Sequence, residues 1–246
     1  MFGKLKASLG IGAAKVDTVL NTNAVMQGES IHGTVHIYGG DVAQQVDAIN
    51  LKLCTEVKVE TEDSTSYQSV MIGQLQAVQP FMIEVGEHKQ VPFNIKLADE
   101  APITALNAYK NQSHVWIETT LDIDFALDPK DRDYVEVHPL PVVAKVIEAI
   151  QSAGFEMVKA DVEKGFLRGQ NFSSTSGFYQ EIEFRNRGFM NRKEIELSFV
   201  LEGNAVHCLA EVDRALGSGD QYTSFTLSRH ASDMEVSHAV SRVLSI

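Results

Sequence analysis

Cysteine is almost missing from this chain: Cys54 and Cys208 are its only two in 246 residues. Both lie in strand-like apolar runs, far apart in sequence, and both read as reduced core thiols, not as a disulfide framework. Positive charge is also scarce. Lysine and arginine number 21 against 33 aspartates and glutamates, a formal net charge of −12. The deficit is concentrated early: residues 1–140 hold 10 basic against 19 acidic side chains, and residues 141–246 hold 11 against 14. Such a surface repels nucleic acid and anionic lipid at long range. No apolar run is long enough for a membrane span. The N-terminal MFGKLKASLGIGAAK lacks both the continuous apolar core and the cleavage site of a signal peptide, so a cytoplasmic location is expected.

What is present is a globular composition, 44% hydrophobic and 22% charged, in a length that suits two domains. From Val16 to Thr55 apolar and polar residues alternate across three extended segments. Ile31, Gly33, Val35 and Ile37 share one face, and His32, Thr34, His36 and Tyr38 share the other. Gly28 and Gly39-Gly40-Asp41 read as turns. Alternation continues through Glu56 to Val85, with Tyr67, Val70, Ile72, Leu75, Val78 and Phe81 as its apolar markers. Short strands over Val91–Leu97, Val115–Phe125 and Tyr134–Val137 complete the spacing of an all-β sandwich.

Pro139-Leu140-Pro141 then breaks the pattern, because proline offers no amide donor and holds its predecessor extended. The expected division is a β-sandwich over residues 1–138 and a second over 142–246. Val143, Val146, Ile147 and Ile150 fall at helical spacing, with Pro141 suited to the first turn and Gly154 to the position past the end. A short helix therefore opens the second domain. Strands follow over Phe155–Val162, Phe178–Arg185, Ile195–Leu201, Ala205–Val212 and Tyr222–Leu227. Ser232 and Glu235 have capping-box spacing ahead of the stripe Val236, Ala239, Val240, Val243 and Leu244, which predicts a C-terminal helix from Asp233.

Several residues invite a chemical reading. His32 and His36 share a strand face, with His138 as a third candidate ligand, but strand neighbours four apart are separated by about 13 Å, too far for one zinc. His207 and Cys208 are adjacent, so on a strand they point to opposite faces and form no nucleophile–base pair. Cys208 is expected buried and His207 exposed, or the reverse. Asp122, Asp124, Asp128, Asp131 and Asp133 form the densest acidic run. An EF-hand register starting at Asp122 meets Ala126 and Leu127, and one starting at Asp128 meets Lys130 and Arg132. Asp128-Pro129-Lys130-Asp131 reads better as a turn. The glycine pattern at Gly10-Ile11-Gly12 lacks a preceding strand and any Walker lysine. Phe2, Leu5 and Leu9, with Lys4 and Lys6, form a glycine-interrupted amphipathic arm that is a candidate for partner or weak peripheral membrane contact. No catalytic, cofactor-binding or metal-binding residue is assigned, and no cofactor is expected.

Longer matches carry a resemblance. AAKVDTVL, the GExIxGTVxIxGG spacing from Gly28 to Gly40, QxVxxIxLxL from Gln44 to Leu53, KQVPFNIKLADEAPIT, VWIETTLDIDFALDPKDRDYVEVHP, and the pair AIQSAGF and FYQEIEF between Ala149 and Phe184 occur in order. In this order the chain resembles the bacterial sporulation-control (Spo-zero-M) family of the arrestin-like superfamily, over nearly its whole length. The resemblance implies an arrestin-like fold and a non-enzymatic regulatory scaffold or adaptor, tied to sporulation or stress response. Partners would be proteins, bound through exposed strand edges and an interdomain groove. Self-association through first-domain edges is a further expectation, since unpaired strands can pair with a second copy. The alternatives are a lectin-like small-ligand module and a cryptic metal-dependent enzyme.

Overall fold

The computed structural model describes residues 12–61, 63–77, 79–123, 127–187, 192–214 and 219–246. Its strands are β1 (Lys15–Leu20), β2 (Ala24–Met26), β3 (Ser30–Tyr38), β4 (Gln44–Glu60), β5 (Thr65–Ala77), β6 (Phe81–Ile83), β7 (His88–Lys96), β8 (Lys110–Asn111), β9 (Val115–Ile123), β10 (Lys130–Tyr134), β11 (Glu136–His138), β12 (Phe155–Lys164), β13 (Phe178–Asn186), β14 (Lys193–Glu202), β15 (Ala205–Arg214) and β16 (Gln221–Ser228). Two helices are described, α1 (Pro141–Ser152) and α2 (Asp233–Ser245). The chain is all-β with these helices, as its alternating pattern and two helical stripes predict. Neither helix is long and apolar enough to cross a membrane.

Two compact units form. One holds residues 1–55, 71–98 and 115–136, and the other 56–70, 99–114 and 137–246. The packing is thus discontinuous in sequence, drawing 56–70 and 99–114 into the second unit. The single cut between residues 138 and 142 stands beside it as a proposal.

In the first unit, β1, β3 and β7 make one antiparallel sheet, while β10, β9 and the first part of β4, with β6, make another. Ile31, Val35 and Ile37 have no exposed surface, so the alternation read from sequence is the core-facing row of β3. Leu51, Leu53, Ile117 and Leu121 are the matching fully buried rows of β4 and β9. Thr18 and Thr119 bridge the two sheets through their hydroxyls at 2.8 Å. Gly33 is required by close approach: a Cβ there would lie 2.7 Å from the Phe93 ring and from the Val19 carbonyl. Gly39 and Gly40 serve the same purpose, against the carbonyls of Glu84 and Gly12. They are not among the left-handed glycines, so backbone contact, not turn conformation, explains them. β5 leaves Tyr67 and Met71 about half exposed, and its apolar side is only partly covered.

In the second unit, β12 to β16 form an antiparallel run in chain order. Ala160, Ile182, Phe184, Ile195, Leu197, Cys208, Ala210, Val212, Phe225 and Leu227 make its apolar face. Helices α1 and α2 pack against each other, α1 also against β12 and α2 against β16. Pro141 opens α1, and Gly154, at φ +92°, sits just past its end. The Ser232–Glu235 capping box is formed in full: the Ser232 hydroxyl accepts from the Glu235 amide, and the Glu235 carboxylate accepts from the Ser232 amide at 2.8 Å. Val236, Ala239, Val240 and Val243 are buried as their spacing predicts.

Candidate functional site

The residues singled out by sequence are scattered. Phe2, Leu5, Leu9 and Asp124 lie outside the described residues. His32 is exposed on β3, whereas His36 has a neighbour that spacing within one strand does not reveal: His88 on β7, 3.0 Å away between ring nitrogens, with Tyr38 stacked on His88 at 4.5 Å. The acidic run is divided among local tasks. Asp128 accepts from the Ile123 amide at 3.3 Å, and Asp131 accepts from the Thr18 amide at 2.6 Å. Asp133 is pushed up to about 7, first by burial and then by Asp131. Lys130 and Asp131 belong to β10, and Asp128 and Pro129 are coil leading into it, so the turn expected at Asp128–Asp131 does not form.

His207 and Cys208 do face opposite ways. Cys208 is fully buried in the apolar face, and burial pushes its thiol up. The expected alternation of exposure fails for His207, which is only 9% exposed. Phe172 stacks on its ring at 4.8 Å, and its Nδ1 lies 2.8 Å from the Thr226 hydroxyl. A hairpin over residues 165–177 covers the face that the strand pattern alone leaves open. Gly165 donates to the Gly177 carbonyl at 2.9 Å, and Leu167 exchanges bonds with Ser174 at 2.9 Å. Glu100 pins the hairpin by accepting from the amides of Thr175 and Ser176 and from the Thr175 hydroxyl at 2.7 Å. Burial raises the Glu100 carboxyl, but these donors outweigh it and hold it below its ordinary value.

Under that hairpin the polar face of β12–β16 carries a carboxylate array. Register places Lys159 opposite Glu183, Glu183 opposite Glu196, Glu196 opposite Glu211, and Glu211 opposite Tyr222. A second row pairs Asp161 with Glu181, and a third runs Arg185, Glu194, Asp213. Like charges directly opposite on adjacent strands destabilise a sheet. The two ends of the array are compensated. Lys58 contacts Glu60, Glu163 at 2.9 Å and Asp161 at 3.6 Å, and Lys159 reaches Asp161 at 2.7 Å. At the other end Arg185 contacts Glu183 and holds Glu194 at 2.8 Å.

The middle is different. Glu181 and Glu196 have no hydrogen bond or ion pair among the described residues. Burial, and then the charge of Glu196, pushes Glu181 up to about 8. Burial, and then Glu211, pushes Glu196 up to about 7. Tyr222, which hydrogen-bonds Glu211, and Tyr179, which is half-buried beside Glu181, are both raised to about 12. These groups surround a cavity of about 230 Å³, whose wall also includes Ser198, Leu209 and, from the hairpin, Phe166, Leu167 and Arg168.

The array had a visible signal that the sequence reading passed over. Asp161-Val-Glu163, Glu181-Ile-Glu183, Glu194-Ile-Glu196 and Glu211-Val-Asp213 each place two acids at alternate positions of a strand. Period two puts each pair on one face. The stacking of the pairs follows only from inter-strand register.

Beside the cavity, β16 has one strand neighbour among the described residues. The Arg229 amide donates to the Asn204 carbonyl at 2.9 Å, in the pair that continues the β15–β16 register. Alternation of bonded and non-bonded pairs then turns the amides of Tyr222, Ser224 and Thr226 away from β15. The edges of β1 and β7 in the first unit are blunted instead. Asp131 takes the Thr18 amide of β1, and Pro92 removes a donor from β7.

The family model described as SpoOM protein matches residues 2–216. The chain is 35% identical over 221 residues to the sporulation-control protein spo0M of Bacillus subtilis (strain 168), covering 87% of this chain and 80% of that protein. It superposes on the crystal structure of Spo0M, sporulation control protein, from Bacillus subtilis with a TM-score of 0.79, at 31% identity, over 96% of this chain and 97% of that one.

Proposed function

Because the chain belongs to the SpoOM protein family, we propose that it is a non-catalytic regulatory protein that works as an adaptor, capturing an extended segment of a protein partner on the free edge of β16. The relatives it matches are named for sporulation control and not for an enzyme activity. The observation that carries the reading is the row of outward amides at Tyr222, Ser224 and Thr226, with no counterpart of the Asp131 cap or of Pro92 among the described residues. Strand addition draws affinity from such main-chain groups and selectivity from alternate side chains. Cys54 and Cys208, both buried and not joined in a disulfide, suit a reducing cytoplasm.

Ser224→Pro tests the edge, because it deletes an outward donor and leaves the bonds between β15 and β16 in place. Tagged wild-type protein in its native cell should enrich a stoichiometric protein partner that the variant loses, with the far-ultraviolet spectrum unchanged. Equal enrichment by both proteins sinks the edge mechanism, and no enriched protein in growth or stress sinks the adaptor role.

A further inference from the structure

The middle of the carboxylate array is costly to fold. Two half-buried glutamates with no ion pair or hydrogen bond among the described residues line one open cavity, although two residues away the same face neutralises its acids with Lys58, Lys159 and Arg185. Uncompensated polar groups of this kind concentrate where a ligand supplies the missing partner. A second, independent observation lies in the cavity wall. Ser198 is 5% exposed, shares the face of Glu196 by strand parity, and its hydroxyl has no hydrogen-bond partner among the described residues.

The shape and lining select the ligand. A volume of about 230 Å³ is the share of several water molecules at about 30 Å³ each, far more than a bare ion fills. Three aromatic rings, from Phe166, Tyr179 and Tyr222, contribute to the lining, and aromatic faces attract organic cations. The two carboxylate triads with oxygens within 4.8 Å of one another are Asp161, Glu163 and Glu181, and Glu183, Glu194 and Glu196. Both already contain members neutralised by Lys58, Lys159 or Arg185, which leaves little net charge for a metal ion.

We infer that this cavity is a binding site for an organic cation, an ammonium or guanidinium group on a flexible chain, held by Glu181 and Glu196 with the Ser198 hydroxyl as an acceptor and the aromatic rings as walls. Arg168 is the cavity's resident competitor: it belongs to the lining yet makes no ion pair with these glutamates among the described residues. The site does not depend on strand addition at β16, and its test does not use the partner.

Titration calorimetry on the full chain at pH 8 uses five probes: agmatine, spermidine, N-acetyl-arginine methylamide, the neutral N-acetyl-glutamine methylamide, and calcium chloride. Saturable binding of the organic cations is expected with a dissociation constant of about 1 mM or tighter, and none of the neutral probe. Tighter binding of the capped arginine than of spermidine assigns the cation to a protein side chain, and the reverse order assigns it to a free amine. Glu196→Gln should weaken binding at least about fivefold, whereas Arg168→Gln should tighten it about twofold or more by removing the competing charge. The opposite signs separate a direct site from general loss of structure. The inference is overturned by no saturation up to about 10 mM, by equal affinity in both variants, or by calcium binding that agmatine cannot displace.

Discussion

Replacing Glu181 by glutamine should make the protein more stable, and more so as pH rises. A carboxyl moved from 4.5 to about 8 in the folded state has an ionised form disfavoured by about 5 kcal/mol at 1.36 kcal/mol per tenfold. Glu181 lies in an open cavity with other titrating acids, and solvent screening together with proton sharing reduces this to about 2 kcal/mol. The sign follows from proton counting. Between the unfolded value near 4.3 and the folded value of about 8, the folded chain binds the extra proton, so ionisation of the unfolded chain erodes stability as pH rises; above about 8 the loss is complete. Glutamine copies the protonated carboxyl in shape and has no charge to bury. Urea unfolding followed by far-ultraviolet circular dichroism at pH 5 and pH 9 should therefore give nearly equal midpoints at the lower pH. At the higher pH the variant should be the more stable by about 2 kcal/mol. A variant less stable than wild type at pH 9, or stabilised equally at both pH values, would refute the account of an uncompensated buried charge.

Other outcomes follow from single contacts. Ser232→Ala removes the acceptor for the Glu235 amide and should lower unfolding stability by about 1 kcal/mol, read from the urea midpoint; an unchanged midpoint would mean that the cap contributes nothing. Gly33→Ala forces a methyl against the Phe93 ring and the Val19 carbonyl and should cost about 1–3 kcal/mol, whereas a neutral result would show that β1 and β7 yield freely. Glu100→Ala frees the amides of Thr175 and Ser176, so amide exchange should quicken in residues 165–177 and stay unchanged in α1. Uniform change across the chain would contradict a local pin. Deleting residues 2–12 should alter the set of co-purified proteins if the arm of Phe2, Leu5 and Leu9 contacts a partner, and an unaltered set removes that idea. Self-association should use the edge of β16 and not the first-domain edges expected from sequence, because Asp131 and Pro92 blunt β1 and β7, and it should grow at high salt as the −12 charge is screened. Sedimentation of the wild type and of Ser224→Pro should then differ, and identical monomeric behaviour in both would exclude that edge.

Much of this molecule follows from sequence by local rules. The β3 row of Ile31, Val35 and Ile37, the α1 stripe opened by Pro141, and the Ser232–Glu235 box each depend on a period or a cap within a dozen residues, and each forms as its spacing predicts. The opposite facing of His207 and Cys208 follows from the same geometry. What local rules do not contain is contact between distant segments. The exposure of His207 depends on Phe172, delivered by a hairpin that Glu100 pins from 75 residues away. The partner of His36 arrives on β7 from 52 residues away. Sequence by itself therefore determined the main strands, both helices, the family and four acidic pairs on four strands. Only tertiary structure decided that register would set Glu183, Glu196 and Glu211 side by side, that Lys58 and Arg185 would neutralise the ends of the array and leave Glu181 and Glu196 unpaired, and that a hairpin would close them into a cavity. The reason is physical: side-chain direction is a local property of the backbone, whereas the field at a carboxylate is a sum over every charge and every volume of excluded water that folding brings near it.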